Sequence, residues 1–126
     1  MIKYLGIDYG QKKIGLAIAD DQTRLATPLS VVGDLEQVLT IINQEEIDIL
    51  VIGVPYQKLS LNFPLPEEFN QFVRQLKNKI KLPIKFIDER LTSKSARVLA
   101  KDKKVRFQEH AVAAMVMLQD YLDSII

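Results

Sequence analysis

The chain has 126 residues, 48% of them apolar and 26% charged, with no cysteine and a net charge of +1. That size supports one domain over residues 1–126, burying roughly two-thirds of its unfolded surface, and excludes a two-domain enzyme, a disulfide scaffold or a cysteine-bound zinc fold. No run approaches the apolar length of a membrane span and the first residues lack the apolar stretch of a signal peptide, so the expected protein is soluble and cytoplasmic, with no membrane contact.

Residues 3–8 and 13–19 read as two apolar strands joined by Tyr9-Gly10-Gln11-Lys12, a hairpin signal. Asp20-Asp21-Gln22-Thr23 is a polar turn, after which residues 25–32 return as a third antiparallel strand. Asp34 is placed to cap a helix, with Gln37 three residues on as in a capping box and Leu35, Val38, Leu39 and Ile42 along one face. Residues 47–54 form a nearly continuous apolar run, the pattern of a buried parallel strand, ended by Pro55. A loop with Pro64 and Pro66 precedes a second amphipathic helix marked by Phe69, Phe72, Val73, Leu76 and Ile80. Residues 84–88 make a fifth strand, Thr92 or Ser93 can cap a short helix, and a final helix runs from about residue 108 to 124, apolar almost all round and therefore packed on the sheet. The expected fold is α/β: a mixed five-stranded sheet, three antiparallel strands and then alternating helices and strands, flanked by helices.

Charge is segregated along the chain. Residues 20–73 carry nine acids against Arg24 and Lys58, whereas residues 74–106 carry twelve basic residues against Asp88, Glu89 and Asp102. If the basic residues share a face, that face can hold phosphates, although solvated helices also carry lysine for no such reason.

The ligand crevice of such a sheet belongs at the carboxyl ends of the central strands. Asp8 stands at one such end with Gly10 beyond it, and Asp88-Glu89 stands at another. An ordinary turn aspartate, or a loop acid paired with Arg90, looks the same in sequence. Adjacent carboxylates at a strand end point to opposite sides, so one of Asp88 and Glu89 faces Asp8. His110, the single histidine, begins the last helix beside Glu109; a packed or capping role is the common fate of either. Together, Asp8, Asp88 or Glu89, and His110 or Glu109 form a set suited to divalent cations, Mg2+ or Mn2+. Two such ions about 4 Å apart can activate water and stabilise the leaving oxygen in phosphodiester hydrolysis. No thiol nucleophile, G-x-S-x-G, H-E-x-x-H, Walker A or G-x-G-x-x-G motif offers another chemistry.

The sequence resembles the YqgF or RuvX family of pre-16S rRNA nucleases, also called Holliday-junction-resolvase-like proteins. The resemblance is carried by Leu5-Gly6-Ile7-Asp8-Tyr9-Gly10 with Lys12-Lys13-Ile14-Gly15-Leu16-Ala17, Thr27-Pro28-Leu29, Val51-Ile52-Gly53-Val54-Pro55, Asp88-Glu89-Arg90-Leu91-Thr92-Ser93, and Ala113-Ala114 with Leu118-Gln119-Asp120-Tyr121-Leu122. It implies an RNase H-like fold and a metal-dependent nuclease that matures the 5' end of small-subunit ribosomal RNA. Asp8 then corresponds to the first metal-binding acid and the Asp88-Glu89 pair supplies the second, with Glu89 favoured as the inward one. Lys12 falls on a basic position near phosphate. The metal set is Asp8, Glu89 and His110, the histidine standing where the family usually has a third acid. An imidazole ligand favours manganese over magnesium and must be neutral, so activity should fall as pH drops through its titration. Lys13, Arg90, Lys94, Arg97, Lys103, Lys104 and Arg106 are the further candidates for the nucleic acid, pre-rRNA or branched DNA, free or on ribosomal particles. Two loops depart from the family pattern: Tyr56-Gln57-Lys58-Leu59-Ser60, and residues 100–109, which are shortened.

Three rivals remain in the sequence. The first hairpin also resembles that of sugar-kinase and actin-type ATPases, but those close two domains around a nucleotide and 126 residues supply one. A Holliday-junction resolvase shares the mechanism and must work as a dimer to cut two symmetric strands. A degenerate nuclease that only binds nucleic acid would explain His110 and the altered loops.

Overall fold

Alternation of apolar residues with a glycine- and alanine-rich opposite side makes the centre of the sheet. In the computed structural model, which describes residues 1–10, 12–54, 66–88 and 109–125, three strands come first: β1 (Lys3–Tyr9), β2 (Ile14–Asp20) and β3 (Thr27–Val32). Helix α1 (Leu35–Gln44), strand β4 (Ile49–Val54), helix α2 (Glu67–Lys79), strand β5 (Ile84–Asp88) and helix α3 (Glu109–Ser124) follow. The sheet order is β3-β2-β1-β4-β5, with β2 antiparallel to both β1 and β3, β4 parallel to β1, and β5 parallel to β4. This is the expected mixed sheet. The short helix expected after Thr92 or Ser93 lies outside the described residues.

The two faces of the sheet are built differently. One presents Leu5, Ile7, Leu16, Leu50 and Ile52 to the apolar stripes of α1 (Val38, Ile42) and α2 (Phe69, Phe72, Val73, Leu76). The other presents Tyr4, Ala17, Ala19 and Val51, small enough for α3 to lie close through Ala114, Met117, Leu118 and Leu122. A helix apolar round most of its circumference suits this position, since strand side chains cover one side of it and few polar groups are displaced.

Element ends differ from the sequence pattern where single residues turn the backbone. Arg24, with φ of 57°, delays β3 to Thr27 and leaves Leu25 exposed. Glu46, with φ of 53°, ends the turn after α1; Ile47 is buried but its N–H donates to the Ile42 carbonyl, so pairing of β4 with β1 begins later, at Ile49 with Tyr4. The α1 cap is close to expectation: the Asp34 carboxylate accepts from the Gln37 N–H at 2.9 Å, while the Gln37 side chain accepts from the Gly33 N–H, one residue beyond the reciprocal partner of a capping box.

Candidate active site

Asp8 is the single charged side chain in the buried class among the described residues, 9% exposed. Its neighbour Ile7 belongs to the core under α1 and α2, so strand alternation turns Asp8 to the α3 side. Its cross-strand partner is Gly15 of β2, and directly paired residues share a face. A Cβ on Gly15 would collide with the main-chain carbonyl of His110 and press on the Ala111 nitrogen. The missing side chain therefore lets the first turn of α3 rest on the sheet beside Asp8. At the hairpin, a Cβ on Gly10 would stand 2.6 Å from the Lys13 carbonyl oxygen and 3.7 Å from His110 Cε1. The half-buried imidazole thus borders the hairpin that follows Asp8. Two sequence-distant candidates, Asp8 and His110, are brought to one end of one face.

Glu109 is half-buried at the start of α3, where its charge suits the positive end of the helix dipole. Lys12 and Lys13 are exposed in the hairpin at the same end of the sheet. Asp88 goes elsewhere. It pairs in register with Val54, on the face of Ile52 and Phe86, opposite that of Asp8. There it is exposed at the end of a groove of about 570 Å³ between α2 and β5. Glu89, Arg90, Lys94, Arg97, Lys103, Lys104 and Arg106 lie outside the described residues, as do the loop at 56–60 and residues 100–108 of the second departing loop.

A buried carboxylate is costly unless cations or hydrogen-bond donors compensate it. Carboxylate oxygen and imidazole nitrogen are a donor pair that fits a divalent cation of the magnesium to manganese range, and the absent side chains of Gly10 and Gly15 let the His110 backbone and ring come close to the hairpin that follows Asp8. Among the described residues, His110 and the acids form no group of three that could hold a metal ion. Sequence reasoning missed Gly15, although a glycine inside an apolar strand is itself a signal of close backbone approach.

The family model for RuvX, described as a Holliday junction resolvase, matches residues 2–124. A protein of Roseiflexus sp. (strain RS-1), provisionally named a pre-16S rRNA nuclease, is 33% identical over 133 residues, covering 97% of this chain and 94% of its own. One of Rippkaea orientalis, with the same name, is 36% identical and covers 98% and 96%. Among solved structures, fowlpox virus resolvase with Holliday junction DNA aligns with a TM-score of 0.60 at 10% identity, covering 99% of both chains. Thermus thermophilus RuvC aligns with a TM-score of 0.57 at 15% identity, covering 99% of this chain and 96% of that one. These identities speak for the fold, which is the RNase H-like fold of those resolvases.

Proposed function

The chain belongs to the RuvX family, and from that membership we propose that it is a metal-dependent endonuclease that hydrolyses RNA phosphodiesters in 5'-end maturation of pre-16S rRNA. The observation that carries the reading is the buried Asp8 beside the first turn of α3, where a carboxylate and an imidazole share one end of the sheet. In this reading Asp8, Glu89 and His110 hold divalent metal, Mg2+ or Mn2+. Continuing the alternation of β5 by one residue would turn Glu89 to the Asp8 side, which supports Glu89 over Asp88 as the second acid. Bound there, the metal supplies the Lewis acidity and the activated water of a two-metal hydrolysis.

The chain's own groups do the rest. Asp8, held by a central strand, fixes its carboxylate against the drift of a loop. Lys12, Lys13 and Arg90 neutralise the backbone around the attacked phosphate, and Lys94, Arg97, Lys103, Lys104 and Arg106 hold its flanks. The protein acts in the cytoplasm, on free or particle-bound precursor.

The test is cleavage of a labelled ribosomal RNA precursor by purified protein with magnesium, manganese or chelator. Cleavage is expected with metal only, and Asp8→Asn should lower the rate by about 100-fold or more, beyond the usual cost of losing a group that merely orients a ligand. His110→Ala should also lose activity, while His110→Asp should keep it with preference moved toward magnesium. Folded wild type that cleaves with neither metal would move the reading to a nucleic-acid-binding module. The family description favours branched DNA as a second substrate; that activity demands a dimer, so a monomer in sedimentation counts against it.

A further inference from the structure

We infer that the groove between α2 and β5 is a stacking site for single-stranded RNA, with Phe86 as the platform for a base and Lys77 as its phosphate contact. The inference rests on the nuclease reading above for the identity of the polymer.

Among the described residues β5 is the last strand of the sheet, paired only with β4. Phe86 sits in it with 46% of its surface exposed, on the face that α2 covers elsewhere. The groove beside it holds about 570 Å³, within the roughly 300–1,000 Å³ of small-ligand sites and enough for a base with its sugar. Its walls are Val54, Phe69, Val73 and Phe86, and Arg74 and Lys77 stand on its rim. Lys77 Nζ lies 5.7 Å from the centre of the Phe86 ring. An exposed ring with a cation over it offers the two groups that sequence-tolerant binding of single strands uses, the base taking the ring face and the ammonium moving to the phosphate beside it.

The charge around the groove is mostly basic, with the acid Asp88 at its end. Residues 74–85 contain Arg74, Lys77, Lys79, Lys81 and Lys85 and no acid, and all five are exposed. Arg74 pairs with Glu67 at 3.3 Å and Lys79 with Glu36 at 3.2 Å, both in solvent, where such pairs hold weakly. Lys77, Lys81 and Lys85 make no ion pair among the described residues. Position fits as well. Ile7, next to Asp8, is level with Ile52, and Ile52 with Phe86, so two strand spacings of about 5 Å separate the candidate catalytic strand from the platform. A strand engaged at Asp8 and passing round the β5 edge meets Phe86 at the same end of the sheet. A paired base could not stack there, which makes the ligand single-stranded.

The test is fluorescence anisotropy of a labelled oligouridylate in chelator, with a duplex RNA of equal length beside it. Phe86→Ala should weaken binding of the single strand by about 5- to 100-fold and Phe86→Trp should restore it. Lys77→Ala should lower the slope of log affinity against log salt by about 0.7. Wild type that fails to bind the oligomer, Phe86→Ala that binds it with unchanged affinity, or Phe86→Ala whose binding of the duplex falls equally, overturns the inference. So does a Phe86→Ala protein whose only change is its sedimentation, which would make the groove a contact between copies. Binding through Phe86 by a protein that cleaves no RNA would sink the nuclease reading and leave this site standing. Normal cleavage with unchanged KM in Phe86→Ala would do the reverse.

Discussion

Asp20 shows how much one exposed side chain can organise. Its Oδ1 accepts from the Thr23 N–H at 2.8 Å, the Gln22 N–H at 2.9 Å and the Thr23 hydroxyl at 3.2 Å, closing the turn between β2 and β3. The Thr23 N–H is the leading reason its carboxyl titrates below the ordinary value, with the Gln22 N–H and the Lys3 charge adding to it against some desolvation. A carboxyl whose folded pKa is depressed stabilises the fold above its unfolded value of about 3.9, and that contribution is lost as pH falls through the folded value. Asp20→Ala should therefore be less stable than wild type at pH 7, with the gap closing below about pH 4; urea midpoints at both pH values check it. A gap that persists in acid would mean the turn is held by something else. Asp8 could be placed at a strand end from sequence, where an ordinary turn aspartate looks the same; its burial on the α3 side came only with the pairing of β1 and β2. The choice between Asp88 and Glu89 was not, since alternation assigns a face only once the register of β5 against β4 is known.

At the scale of elements, α3 is tied to the sheet by more than apolar contact. Gln119 accepts from the Ala26 N–H at 2.9 Å and donates to the Arg24 carbonyl at 3.0 Å and to Asp123 at 3.1 Å. It thus clamps the backbone where Arg24 departs from ordinary φ, so helix and turn fix each other. Gln119→Ala should cost about 1 kcal/mol, since it leaves the part-buried Ala26 N–H without its partner while the exposed Arg24 carbonyl turns to water. Thermal unfolding measures it, and a cost near zero would show that water replaces the side chain there. The helices and strands were legible because their apolar periods are clean. The boundaries at Thr27 and Ile49 were not, because Arg24 and Glu46 take left-handed conformations that their residue types do not advertise. Gln119 was visible only as part of a resembling motif, and its partners lie more than ninety positions away.

Strand order across the described residues follows from short connections among β1, β2 and β3 and from the parallel pairing of β4 and β5, which requires a crossover such as α2. That crossover carries α2 to the face shared with α1, and the small side chains of the opposite face fall to α3. Asp8 and His110 therefore belong to different layers and to opposite ends of the chain, and they meet only when α3 is docked. A cation held by both binds the folded state and has no preformed site in the unfolded chain, so binding must add to stability. At a hundred times the dissociation constant that addition is about 2.7 kcal/mol, on the order of a 10 °C rise in Tm for a domain of this size. Manganese should produce such a rise in wild type, a smaller one in His110→Ala and none in Asp8→Asn, as followed by circular dichroism. An undiminished rise in Asp8→Asn would place the metal away from the central strand and remove the physical basis for assigning catalysis to this end of the sheet.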